Sequence, residues 1–567
     1  MSRERSRQRR RGPGNDAGRP RRDLPADDPR RLGSGSPPEE EARPWGQSEQ
    51  AGAVNRSRPI YDQGGSRRGD QGGMRRGDQG GSRRGNQGGM RRRGRPDNGV
   101  PGSRGRDGSG RRPTGRPGGE PERPGIVLPE NPREAALRVL HAVDTRNAFS
   151  DRLLDGAHGA ARDPRDEALL HELVKGTLRW RGRIDWVLDP LVHIGLSQVQ
   201  PWIRNVLRLG AYQILFLDRV PAHAAVDEAV KLAHQYGHPG TAGLVNSVLR
   251  RLAEGKDAIA LPAGDDAASL AAWGSHPVWM VERWLERFGP EAARALLLAD
   301  NRAARVGLRA NRLRATREQL IERLVAEGVA AESATLAPEL AWAGEHVVPG
   351  RLQAFRDGLC TVQDESECLV SRLVAPQAHE RILDLCAAPG GKSTHIAELM
   401  GDEGEVWAME RSETRAPAIE TATKRLGLHA VHVVQGDGRS YDFPMPFDRV
   451  LVDAPCSGLG VLARRADARW RKGPEVFREL LPVQLDLLQA GGRRARPGGV
   501  LVYSVCSFEP EETVELVERF LRASPQFVLE AAHGFVPDEI VDEDGFMRVL
   551  PHLQGCDGAF AARFRKT

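Results

Sequence analysis

Two cysteines stand just past short apolar runs: Cys456 in DAPCSG after RVLVDAP (449–455), and Cys506 in YSVCS within GVLVYSVCS (499–507). If both runs are strands of one sheet, both thiols reach one cleft. A thiolate is a strong nucleophile, and a second thiol beside it can hold or pass a proton. Asp453, three residues before Cys456, adds a carboxylate at the same strand end. Cys360, Cys368 and Cys556 have no such setting and read as small buried hydrophobes. None of the six cysteines forms a CxxC pair, so neither a zinc ribbon nor a disulfide framework is expected, and no metal. Such thin cysteine use suits a reducing cytoplasm.

A second candidate is LDLCAAPGGKST (383–394). Its Gly-Gly-Lys-Ser-Thr looks like a phosphate-binding P-loop, which needs a first Gly five residues before Gly391. Cys386 stands there, so the loop's turn is missing. LVDAPC downstream also lacks the usual run into a magnesium-binding aspartate. The better fit is the first turn of a Rossmann-like sheet, where glycines let the backbone approach a ligand. Glu410, Asp437 and Asp453 follow at the ends of the next three apolar runs. Taken singly each is as readily a solvated strand end; in order they suit a nucleoside cofactor, S-adenosylmethionine or NAD.

These residues need a scaffold. After residue 350, RILDLC (381–386), EVWAME (405–410), AVHVVQGD (430–437) and the two cysteine runs alternate with helical patterns. That predicts a parallel, doubly wound α/β sheet over 351–567, with ligands beyond the strands' carboxyl ends. Residues 128–255 read as all-α. Asn131, Pro132 and Glu134 predict an N-cap, first helical residue and returning acid of a capping box. Ala136, Val139, Leu140 and Val143 continue the stripe, similar patterns recur at 166–175, 201–217, 224–235 and 241–252, and Asp163–Pro164 starts one of these helices. Residues 275–350 read as a small α+β insert: VWMVERWLERFG and REQLIERLVAEG helical, VGLRANRL and HVVPG extended.

Residues 1–125 differ in kind. They hold 30 Arg, no Lys and 16 acids, a net +14 that leaves −8 for residues 126–567. The octad GGSRRGDQ, GGMRRGDQ, GGSRRGNQ is a low-complexity array, and the whole Arg/Gly-rich tail is expected to be disordered. No secretory signal and no membrane span are expected.

An electron-rich ring carbon such as cytosine C5 is a poor nucleophile until a thiolate adds at C6. In this light LDLCAAPGGKST, VDAPCSGLG, RRADARW and YSVCS resemble the RsmB/NOP family of RNA cytosine-5 methyltransferases. VPAHAAVDEAVKLA and GLVNSVLRRL resemble the NusB-like domain that precedes the bacterial RsmB (Sun) branch. The resemblance spans about 128–567. It implies that the turn Cys386, Ala387, Ala388, Pro389, Gly390, Gly391 and Lys392 wraps S-adenosylmethionine. Glu410 would take its ribose and Asp437 the adenine side, with Asp453 at the methyl end or the base. Cys506 would be the nucleophile, and Cys456 would assist proton removal and release. The substrate would be RNA, small-subunit ribosomal RNA first and transfer RNA as the alternative. The protein would be a cytoplasmic monomer. Departures are Glu410 for Asp, Val505 for the Thr before the nucleophile, Ala466 for Pro, and DGAF for DGFF. The rival reading is a non-catalytic NusB-like RNA-binding or antitermination factor, which the paired cysteines oppose. An adenine or protein-amine methyltransferase would carry Asn/Asp-Pro-Pro-aromatic where this chain has Asp-Ala-Pro-Cys.

Because the positive charge sits in the tail, deleting residues 1–125 is expected to raise the Michaelis constant for RNA at low salt. It should also flatten the log–log salt plot, at about 0.7 per lost phosphate contact on single strands. The methylated position and turnover at saturating RNA should not change. Equal salt slopes for the two proteins would sink this expectation.

Overall fold

The computed structural model describes residues 128–155, 163–344 and 347–567. The expected tail lies outside them.

The first layer is helical: Pro132–Arg146, Ser150–Asp155, Pro164–Arg179, Arg181–Leu188, Pro201–Phe216, Ala222–Tyr236 and Pro239–Gly255. Their apolar stripes meet in one core, with Leu140, Leu173, Leu207 and Leu249 buried. Asn131 caps the first helix by accepting from the Arg133 and Glu134 amides, and Asp163 caps the third. Glu134 does not complete a capping box. Its carboxylate accepts from the Tyr236 hydroxyl at 2.7 Å and Arg138 at 2.9 Å, stronger partners that pin the first helix to the sixth.

The insert follows. Helices Ala267–Gly274 and Val278–Asn301 lead into an antiparallel sheet of β1 (Val306–Ala310), β2 (Ala331–Ser333), β3 (Leu340–Ala343) and β4 (Cys360–Val362), ordered β2-β3-β1-β4. Helix Arg317–Ala326 connects β1 to β2. Two expectations need correction. Pro349–Arg351 is a 3-10 turn and not a strand, as proline supplies no ladder donor. A boundary at 350 also cuts the sheet, because Cys360–Val362 pairs with β1.

The last layer is a sheet of β5 (Arg381–Asp384), β6 (Glu405–Glu410), β7 (Val431–Gln435), β8 (Phe447–Asp453), β9 (Ala495–Val505), β10 (Phe527–Glu530), β11 (Met547–Val549) and β12 (Ala559–Lys566). The order is β10-β12-β9-β8-β5-β6-β7, with β11 on β12. The five strands β9-β8-β5-β6-β7 are parallel, as expected. The β10–β12 edge is antiparallel, so the sheet is mixed and not purely parallel. That edge hides in the sequence because β12 reads AFAARFRK; buried Arg563 interrupts its apolar pattern and is satisfied by Glu530 and the carbonyls of Leu373 and Val374. No helix among the described residues is long and apolar enough to cross a membrane.

Candidate active site

The glycine turn leaves β5 at Asp384 and enters helix Gly391–Leu399. Asp384 is buried; it accepts from the Ser393 hydroxyl at 2.7 Å and the Cys386 amide at 3.4 Å. Burial pushes its carboxyl up to about 6. Gly390 has φ 103°, and a Cβ there would stand 3.2 Å from Ile419 Cα, so both conformation and space call for glycine. The Ala387 amide donates to the Met409 carbonyl at 2.9 Å, and Arg415 donates to the Ala388 carbonyl at 2.6 Å. The turn is thus tied to the end of β6.

The three strand-end acids differ. Glu410 is buried; one oxygen accepts from the Ser412 amide at 2.8 Å, and the other has only Arg415 at 3.7 Å. That second oxygen has no hydrogen bond and can accept from a ligand hydroxyl. Asp437 is gripped by Arg439 at 2.6 and 2.9 Å, which holds its carboxyl at about 2. Asp453 receives Ser504 Oγ at 2.7 Å and Lys392 Nζ at 2.9 Å. Lys392 therefore bridges the glycine turn to the end of β8, with Glu367 at 3.6 Å beyond. The Asp453 and Glu367 charges outweigh burial and raise its ammonium above the usual lysine range.

The thiols meet: Cys456 Sγ lies 3.0 Å from Cys506 Sγ, and both are free. Their shared hydrogen bond draws Cys506 below the ordinary thiol range, against burial and Asp453, while Arg465 and Lys392 add to the pull. The same bond, with burial and the Glu512 and Asp453 charges, pushes Cys456 well up. The pair therefore favours negative charge on Cys506 and the proton on Cys456. Val505, one residue earlier, packs in the apolar cluster with Phe560 and Tyr503. A hydroxyl there would need a partner.

The sequence reading missed the residues that hold the thiols in place. Glu512 accepts from the Ser457 amide at 2.7 Å and from Gln484 at 3.0 Å, which fixes the backbone beside Cys456. Only the acid-rich EPEE run hinted at it. Gly460 packs on Gly558, whose amide donates to the Gly460 carbonyl at 2.7 Å. Asp557 and Asp364 clasp Arg464 at 2.6 and 2.5 Å. RRADARW is a seam: Ala466 belongs to the all-α core, Trp470 Nε1 donates to the Leu178 carbonyl at 2.7 Å, and buried Arg469 reaches the Ser275 and Asp300 carbonyls and Asn301.

Comparison with known proteins bears on this arrangement. Residues 371–565 match the family model described as 16S rRNA methyltransferase RsmB/F, residues 130–254 the NusB family, and residues 276–340 the ferredoxin-like domain of RsmF/B-like methyltransferases. A probable ribosomal RNA small subunit methyltransferase B of Bacillus subtilis (strain 168) is 36% identical over 445 residues, 76% of this chain and 98% of that protein. This chain belongs to the RsmB/F methyltransferase family. A probable ribosomal RNA small subunit methyltransferase B of Synechocystis sp. is 33% identical over 441 residues, 76% of this chain and 99% of that protein. The crystal structure of PH0851 matches with TM-score 0.65 at 25% identity, over 78% of this chain and all of that one. As an RsmB/F member the chain is a methyltransferase that uses S-adenosylmethionine, and the NusB-like, insert and Rossmann-like layers are those of its family.

Proposed function

We propose that this chain methylates carbon 5 of a cytosine in small-subunit ribosomal RNA through a covalent bond to Cys506. The 3.0 Å thiol pair beside the Lys392–Asp453 bridge carries this reading. The relatives' names supply the substrate class.

In this mechanism the Cys506 thiolate adds to cytosine C6. The S–C6 bond forms, the C5=C6 pair of electrons moves to C5, and C5 becomes nucleophilic. S-adenosylmethionine, when bound, supplies an electrophilic methyl group; Cys386–Lys392, Glu410 and Asp437 are the residues that would hold it. Once Cys506 is a neutral thioether, Cys456 no longer faces a thiolate. Its thiol becomes easier to ionise, as the neighbour that kept it protonated has lost its charge. The Cys456 thiol gives its proton to water, and the resulting thiolate takes the C5 proton, which returns Cys456 to the thiol. The freed electrons restore C5=C6, the S–C6 bond breaks, and Cys506 leaves as thiolate. The Lys392 ammonium, tied to Asp453, opposes the charge on Cys506 at both ends of this cycle.

Mapping 5-methylcytosine across ribosomal and transfer RNA, with and without the gene, tests the reading. A lost mark on small-subunit RNA is expected. A mark lost from transfer RNA alone would move the substrate, and no lost mark would overturn the proposal. For the cofactor, titration calorimetry should give micromolar binding, roughly −8 kcal/mol. Glu410→Ala should weaken it by about 1–3 kcal/mol, since a buried diol loses its acceptor. Asp437→Ala should weaken it less, because Arg439 already occupies that carboxylate. The reverse order would reassign the ribose acid.

A further inference from the structure

The folded region is net −8, so RNA must meet local positive charge rather than a basic face. The seam from Arg464 to Lys472 holds five cations at the edge of the thiol site. Three are already used. Arg464 is clasped by Asp364 and Asp557, Arg469 is buried on carbonyls and Asn301, and Arg471 bonds Asn147 at 2.7 Å and Asp467 at 3.2 Å while covering the Phe149 ring.

Two are not used. Arg465 is exposed and Lys472 half-buried, and neither side chain has a hydrogen-bond, ion-pair or ring partner among the described residues. Lys472 stands by Cys506. A Cβ built on Gly458 would lie 3.5 Å from Lys472 Nζ and 4.0 Å from Cys506 Sγ, so the ammonium shares that glycine's edge with the thiol. The Arg465 charge also acts on Cys506. Asp453 is engaged by Lys392 and Ser504, whereas Glu512, hydrogen-bonded to the neutral Ser457 and Gln484, keeps its charge and acts on Lys472 without an ion pair, so Arg465 is the freer of the two cations. Trp470 and Arg469 anchor the segment between them to the helical layers, so the two charges are carried by a braced backbone.

We propose that Arg465 and Lys472 form a subsite for an RNA phosphate flanking the target nucleotide. This rests on the RNA reading above and extends it. A base turned out of its stack to reach a buried thiol brings its sugar and flanking phosphates to the rim of the site. An arginine fork and a lysine point charge are complementary grips for such a phosphate. The phosphate contact would fix the depth to which the base enters without reading its identity.

The test is binding of an unmodified small-subunit RNA fragment to the full chain, followed by fluorescence anisotropy over a salt series. Arg465→Gln, Lys472→Gln and the double variant are compared with wild type. The double variant should flatten the log–log salt slope by at least about 0.7, the share of one single-strand phosphate contact. It should also raise the Michaelis constant for RNA several-fold. Arg471→Gln, whose head group is already paired, should leave the slope alone. The proposal is overturned if the double variant keeps the wild-type slope, or if Arg471→Gln flattens it equally. It is also overturned if the variants move only the pH profile of Cys506 alkylation by iodoacetamide, for the two cations would then serve the thiolate. Thermal melts establish that each variant is folded. A wild-type protein that neither binds nor methylates the fragment would instead sink the RNA reading itself.

Discussion

Cys506→Ala should leave a folded protein that binds cofactor normally and has lost methylation by at least about a thousandfold, the scale expected when a covalent nucleophile is removed. The thiol pair is built by β8 and β9, while the cofactor turn hangs from β5 and β6, so losing one sulfur should not reach the turn. Cys456→Ala should behave differently. It leaves the nucleophile in place and removes the group poised to take the C5 proton. Addition and methyl transfer should proceed, release should stall, and a protein–RNA complex should survive a denaturing gel. The double variant should show neither turnover nor complex. The two single variants therefore separate the roles by a gel as well as by rate. A trapped complex in Cys506→Ala and none in Cys456→Ala would exchange the two roles. The hydrogen bond predicts a further difference: iodoacetamide should label Cys506 at lower pH than Cys456, as Cys506 sits below the ordinary thiol range and Cys456 above it.

How much of this was legible without coordinates depends on where each residue's partners lie in the chain. The glycine turn and Cys506 announce themselves through local sequence, since a short apolar run followed by a turn fixes its own geometry. EVWAME is the strand Glu405–Glu410, end to end. The thiol pair could be inferred because both cysteines follow strands of one parallel sheet, whose carboxyl ends meet at one edge. The supports could not. Asp364, Asp557 and Glu512 are ordinary acids in the sequence, and their partners lie 100, 93 and 55 residues away. Ala466 appears only as a departure from a family motif, yet it is buried in the core of the helical layer. RRADARW is legible in the sequence only as a family motif, whereas in the structure Arg464 and Arg469 hold the layers together. Glu134 failed for the opposite reason: its local partner was plausible, and a tertiary one from Tyr236 took its place.

Arg309→Met should be the most destabilising single change near the cofactor turn, by about 3–5 kcal/mol in denaturant unfolding, because it strands a buried charge. Arg309 belongs to β1 of the insert and is fully buried. Its guanidinium meets Glu398 at 2.6 Å, the Gly391 carbonyl at 2.8 Å and Thr394 Oγ1 at 3.2 Å, with Gln363 beside it. All but Gln363 lie on the helix that begins at the glycine turn, so the insert grips the cofactor loop from behind. Two effects can be parted. Replacing both Arg309 and Glu398 with Met removes the stranded charge and should recover much of the stability, as apolar substitutes for buried ion pairs often do. It does not return a donor to the Gly391 carbonyl. The double variant should therefore unfold nearly as late as wild type and still bind the demethylated cofactor product several-fold more weakly, by calorimetry. If it binds as tightly as wild type, Arg309 holds the fold and does nothing for the turn. If Arg309→Met is destabilised by less than about 1 kcal/mol, the pair is not dry enough to count as buried, and the insert's hold on the loop lies elsewhere.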